Sequence, residues 1–212
     1  MSHPEILDPT RRRFVLAGLG SIALGLMAAM PALAWIKPTE PNVLGPYHRK
    51  GAPFRTQLAA ANEPGERLII RGRVLDTDGR PLKGAVVDVW QADAKGRYDN
   101  DDAAHPPDPS TYKLRGQMKT DAQGRYEYET IVPGNYGDPG EVRPKHIHYI
   151  VSQPGYVPLT TQLYFKGDRY LANDPFVRKS LIIALQRQAP TARQAKGTAV
   201  GTFDIVLARP AN

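Results

Sequence analysis

The chain reads as all-β: an antiparallel β-sandwich with Greek-key-like connections, long loops and one short helix. Three observations lead there. Apolar and polar residues alternate with period two over short segments, as where Leu68, Ile70 and Val74 face away from Arg71 and Arg73. Turn sequences such as Asp76-Thr77-Asp78-Gly79-Arg80-Pro81 and Asp121-Ala122-Gln123-Gly124 separate these segments at close spacing. A helix start is marked at Asn173 or Asp174, with Pro175 in the first turn and Phe176, Val177, Leu181 and Ile182 to follow.

The elements follow in chain order. Thr10-Arg11-Arg12-Arg13-Phe14, the apolar run Val15 to Ala29 and the small-residue site Ala32-Leu33-Ala34 make an export signal over residues 1–34. The paired arginines point to the twin-arginine machinery and a periplasmic or otherwise exported product beginning at Trp35. An uncleaved anchor is the alternative, although the run is shorter than the roughly 20 residues a span needs. Residues 35–212 then form one domain. Trp35 to about Pro64, rich in proline and glycine but also in aromatics, reads as an ordered arm laid over a core. Strands are expected over Arg67–Asp76, Ala85–Gln91, Met118–Thr120, Arg125–Ile131, His146–Ser152, Thr160–Phe165 and Gly201–Leu207. Asp93 to Pro109 and Gln186 to Lys196 read as loops.

The absence of cysteine excludes disulfides, thiolate metal sites and a lipoprotein anchor. Net charge is +7, but the cations, Arg71, Arg73, Lys95, Arg97, Lys113, Arg115 and Lys119 among them, are scattered. A nucleic-acid footprint needs clustering as well as charge, so no nucleic-acid partner is expected.

Two histidines two apart, His146 and His148, fall on a strand and therefore share a face. They are either a metal-ligand pair or two half-exposed residues beside a sheet. His3, His48 and His105 have no partner at ligand spacing and read as surface. Of ten tyrosines, Tyr126, Tyr128 and Tyr164 fall at strand positions, whereas Tyr98 and Tyr136 lie in loops, where catalytic groups are commonly carried.

The segments around these residues resemble the intradiol ring-cleavage dioxygenases, the family of protocatechuate 3,4-dioxygenase and catechol 1,2-dioxygenase. The resemblance is carried by Gly84 to Asp93 leading to Gly96-Arg97-Tyr98, by Leu114-Arg115-Gly116 to Thr120-Asp121 with Gly124-Arg125-Tyr126, and by Thr130 to Tyr136. It continues through Arg143-Pro144-Lys145-His146-Ile147-His148 and Leu159 to Asp168, covering about Gly45 to Asp168. It implies a non-haem Fe(III) centre held by Tyr98, Tyr136, His146 and His148. Phenolate oxygen is a hard donor suited to ferric iron. It further implies that Arg143 stabilises substrate anion, that Gln162 stands near the substrate and that Tyr136 leaves the metal and accepts a proton. Cleavage of a catechol-like ring between its hydroxylated carbons with O2 would give a muconate-type diacid. The long helical N-terminal region of the catechol 1,2-dioxygenases is missing, so the core resembles the protocatechuate type more. The segment Tyr136 to Arg143 is short, with a Pro-Gly in it, and the loop Asp99 to Pro109 is this chain's own; both border the expected pocket and leave the substrate open, and the sequence leaves a homo- or hetero-oligomer open as well. Two further readings stand beside this one: a metal-free β-sandwich binding module, and zinc or copper held through the histidines.

Overall fold

Burial along the first strand sets the layering. In β1 (Arg67–Asp76), Leu68, Ile70 and Val74 are fully buried while Arg71 and Arg73 are exposed, as the alternation predicts. The computed structural model describes residues 35–189 and 197–211. The predicted signal segment lies outside the described residues. Nine further strands follow: β2 (Val86–Gln91), β3 (Arg115–Lys119), β4 (Arg125–Ile131), β5 (His146–Ser152), β6 (Leu159–Phe165), β7 (Ile182–Ile183), β8 (Gln186–Gln188), β9 (Thr198–Thr202) and β10 (Ile205–Leu207). They form two five-stranded sheets, one ordered β10-β1-β9-β8 with β4 also on β1, the other β3-β2-β5-β6-β7. Between them pack Leu68, Ile70, Val74, Tyr126 and Tyr128 from the first sheet, against Val87, Val89, Ile147, Tyr149, Val151 and Leu163 from the second. The hydroxyls of Tyr128 and Tyr149 hydrogen-bond to each other, which satisfies two polar groups inside this core.

The all-β sandwich stands, with three corrections. Pairing is mixed: β9 and β10 run parallel to β1, and β7 runs parallel to β6. The expected helix is absent, and only a 3-10 turn at Lys179–Leu181 occurs there. Asp174 does bond the backbone of Phe176, as a helix cap would, but its other oxygen is taken by Arg143. The chain then extends as β7 to pair with β6, so tertiary pairing outweighs the local start signal. Finally, part of the expected Gln186–Lys196 loop is β8, and the closing strand is divided at Phe203-Asp204, where the Asp204 carboxylate accepts the Arg73 N–H.

The arm is ordered as expected. It follows the sandwich through backbone bonds from Ile36 to Thr77, Thr39 to Val206, Asn42 to Thr160, Arg55 to Gln117 and Leu58 to Glu129. Among the described residues no helix is long and apolar enough to cross a membrane. The side chains that matter most for chemistry lie on the face of the second sheet turned away from the core. Trp90, His148 and Gln162 stand in one cross-strand row, and His146 and Tyr164 in the next.

Candidate metal centre

His146 and His148 leave β5 on one face with their Nε2 atoms 3.1 Å apart. They are 2% and 1% exposed. The Nδ1 of His146 lies 2.7 Å from the carbonyl of Pro144, which can only accept, so Nδ1 carries the proton and Nε2 keeps its lone pair. The His148 ring lies flat on the indole of Trp90, with centroids 4.8 Å apart and planes 7° apart. Burial, and then the charge of Arg143, push His146 down to about 3. Burial and then His146 hold His148 well below the ordinary histidine range. Both rings are therefore neutral at neutral pH.

Two loops bring the phenols. Tyr98 ends a turn in which Asp93 Oδ1 accepts the N–H groups of Lys95 and Arg97. Its ring is 4% exposed, stacks on Tyr47 at 4.3 Å and meets Tyr136 edge-on at 5.4 Å. Burial and the neighbouring Tyr136 raise its pKa well above that of a free phenol. Tyr136 is half-buried, with its hydroxyl 3.2 Å from His146 Nε2 and 3.4 Å from Arg143 Nη1. The loops touch backbone to backbone, the Gly134 N–H donating to the Asp93 carbonyl at 2.8 Å. A Cβ on Gly134 would stand 2.4 Å from the Gly96 nitrogen, and one on Gly96 2.1 Å from the Asn135 carbonyl. Gly134→Ala is therefore expected to cost about 1–3 kcal/mol of stability, as overpacking does. It should also weaken metal binding by separating the tyrosines. Thermal unfolding and metal titration check both effects.

Arg143 occupies the side of the site beside Tyr136. Its Nε donates to Asp174 at 2.8 Å, and its Nη2 to Gln162 Oε1 at 3.0 Å and to the Tyr164 hydroxyl at 3.2 Å. Gln162 also accepts from Tyr164 at 2.7 Å and donates to the Val43 carbonyl of the arm at 2.8 Å. One oxygen of Asp168 accepts from both Asn135 Nδ2 and the Lys145 N–H, which ties the Tyr136 loop to the start of β5.

All six predicted site residues, Tyr98, Tyr136, His146, His148, Arg143 and Gln162, are thus brought to one place. Sequence reasoning missed several others. Tyr164, read as a sheet aromatic, bonds Arg143; Asp174, read as a helix cap, pairs with it. His48, read as surface, is partly buried against Trp90 at 4.6 Å and lies 3.3 Å from Asp88. His105 is exposed beside Asp102, and His3 lies outside the described residues.

The donor set fits a hard cation. Among the described residues the buried Tyr98 hydroxyl has no hydrogen-bond partner, an omission that a cation among these rings would remove. Two neutral imidazoles and two phenolates would offset most of a trivalent charge in a dry setting. Among the described residues no group of three or more His, Cys, Asp or Glu side chains could hold a metal ion. The phenols beside the histidine pair are those of Tyr136, 3.2 Å from His146 Nε2, and Tyr98, whose ring centroid lies 6.1 Å from that of His148. A separate cleft of about 800 Å³ lies on the other sheet, lined by Arg71, Arg73 and Arg125 among others, and includes none of these six residues.

A family model described as a dioxygenase matches residues 43–209. The chain is 37% identical to a 6-chlorohydroxyquinol 1,2-dioxygenase from Cupriavidus pinatubonensis, over 96% of its own length and 76% of the relative's. It is 42% identical to the protocatechuate 3,4-dioxygenase beta chain of Burkholderia cepacia, over 72% and 69%. The crystal structure of a 3-chlorocatechol 1,2-dioxygenase from Rhodococcus opacus superposes with a TM-score of 0.74 at 30% identity, covering 82% of this chain and 74% of that one.

Proposed function

The chain belongs to the intradiol ring-cleavage dioxygenases, a family of oxidoreductases, and on that premise we propose that it is an exported ferric enzyme. It opens a catechol-type ring between the two hydroxylated carbons and incorporates both atoms of O2 to give a muconate-type diacid. The observation that carries this reading is the convergence of Tyr136 Oη, His146 Nε2 and His148 Nε2 beside the half-buried Arg143, with a Tyr98 hydroxyl that has no hydrogen-bond partner among the described residues.

Tyr98, Tyr136, His146 and His148 would hold the iron. When bound, ferric iron supplies a Lewis acid and an electron relay that prepare the catechol ring for O2. The protein's own part is the placement of protons and charge. Tyr136 is the more exposed of the two phenols, and its Oη is the atom that accepts a catechol hydroxyl proton as substrate enters. Arg143, aimed at the same oxygen and held from behind by Asp174 and Gln162, stabilises negative charge on the substrate. Trp90 and Tyr98 keep water from the imidazole side, being 1% and 4% exposed. Export rests on Arg11-Arg12 ahead of the apolar run, and suits a cofactor loaded before translocation.

Oxygen uptake by the iron-loaded protein across catechol, protocatechuate, hydroxyquinol and chlorocatechols, with the mass of the product, tests the reaction. Uptake with at least one of them and a product heavier by two oxygen atoms is expected. No uptake with any would refute it.

The imidazoles make a second prediction, for the metal-free protein. A histidine kept neutral by burial has a folded pKa below its unfolded value near 6.5. Between those values the unfolded chain binds more protons. Stability is then full above about pH 6.5 and falls as the pH drops towards the His146 value of about 3. The slope is about 1.4 kcal/mol per pH unit for each histidine. Denaturant melts between pH 7 and 4 measure it, and His146→Asn should reduce the slope.

A further inference from the structure

Arg115 reads in sequence as one of several scattered cations, yet it is 1% exposed. A buried guanidinium must be fully partnered. Its Nε donates to Asp99 Oδ1 at 2.7 Å, its Nη2 to the same oxygen and to Asn100 Oδ1 at 2.6 Å, and its Nη1 to the Tyr47 carbonyl at 2.6 Å. The other oxygen of Asp99 accepts from Arg49 Nη1 at 2.8 Å and from the Lys113 N–H at 3.2 Å. Such buried pairs often gain little stability over apolar side chains of similar volume, so position is the more informative clue. This pair ties β3 both to the arm and to the loop after β2.

The groups it holds surround Tyr98. Asp99 follows that residue directly, and the ring of Tyr47 covers its face at 4.3 Å. Among the described residues no hydrogen bond fixes the Tyr98 hydroxyl. The other phenol is held chiefly by different means, Asp168 through Asn135 and Arg143 at its oxygen, and meets Tyr47 only edge-on at 6.1 Å. We propose that Arg115, through Asp99 and the stacked ring of Tyr47, is the positioning residue for Tyr98, and that Tyr136 is set chiefly by its own clamp. The inference rests on the reading of both as iron ligands.

Single-tyrosine backgrounds separate the clamps. Iron-loaded Tyr136→Phe leaves Tyr98 as the only tyrosinate, and Tyr98→Phe leaves Tyr136. Arg115→Lys keeps the charge and loses the planar fork. In the Tyr136→Phe background it is expected to shift and weaken the visible tyrosinate-to-iron band and to lower iron affinity by about tenfold, as orienting partners of metal ligands do. In the Tyr98→Phe background the band and affinity should change much less. A change of equal size in both backgrounds, or in neither, overturns the proposal. If Arg115→Lys does not fold, Asp99→Asn, which keeps shape and acceptor, is expected to show the same selectivity and is judged by the same outcomes. If neither single-tyrosine protein absorbs visible light with iron, the ferric reading fails and takes this proposal with it. A band that ignores Arg115 refutes the positioning role alone.

Discussion

His146→Ala is expected to lower iron affinity by at least about 100-fold and turnover by at least about 1,000-fold. Loss of a partner that merely orients a ligand costs 10–100-fold, and loss of the ligand itself should exceed that. The site has no substitute at this position. His146 Nε2 stands 3.1 Å from His148 Nε2 and 3.2 Å from the Tyr136 hydroxyl, and its tautomer is set by the Pro144 carbonyl. The fold should persist, because Ile147, Tyr149 and Val151 on the other face of β5 continue to fill the core. Iron content after dialysis, with oxygen uptake and a thermal melt on the same sample, checks all three parts. A variant that retains both iron and turnover would remove the histidine pair from the mechanism.

Arg143→Ala is expected to lower kcat by about 100–1,000-fold, the loss seen when one preorganised donor to developing negative charge is removed. The iron should stay, since the arginine contacts the ligands without being one. The same change strands Asp174, whose side chain is 2% exposed and paired to Arg143 at 2.8 Å. An unpaired buried carboxylate costs about 3–5 kcal/mol, so the melting temperature should fall as well. The two losses can be separated. The double variant Arg143→Ala, Asp174→Asn should recover stability and leave kcat low, whereas recovery of kcat would mean that Arg143 acts through the fold. Arg143→Lys should be intermediate, because a lysine cannot serve Asp174, Gln162 and Tyr164 together.

What was legible in the sequence follows the range of the interaction. Period-two alternation placed β1 and β5, and it put His146 and His148 on one face without any structural knowledge. Tyr98 and Tyr136 stood out because they lie in loops and not at strand positions, but only the resemblance joined them to the histidines. Asp174 shows the limit of local rules: an Asx turn at a helix cap and an Asx turn that presents a carboxylate to Arg143 look alike in one dimension. Arg115 and His48 were misread for a related reason. Their partners, Asp99 and Asp88, are 16 and 40 residues away, and nothing near either residue announces burial. The parallel pairing of β9 and β10 with β1 is more remote still, since it depends on which strand edge remains free after β4 has paired.

The central claim is that two tyrosinates and two neutral imidazoles hold ferric iron. Its most direct test is the visible spectrum of the purified protein titrated with Fe(III), recorded for the parent chain and for Tyr98→Phe and Tyr136→Phe. The account predicts a tyrosinate-to-iron charge-transfer band in the parent that is shifted or weakened, but not abolished in both, when each variant leaves a single tyrosinate. A parent protein that stays colourless with iron, or a band that both variants keep unchanged, would contradict it.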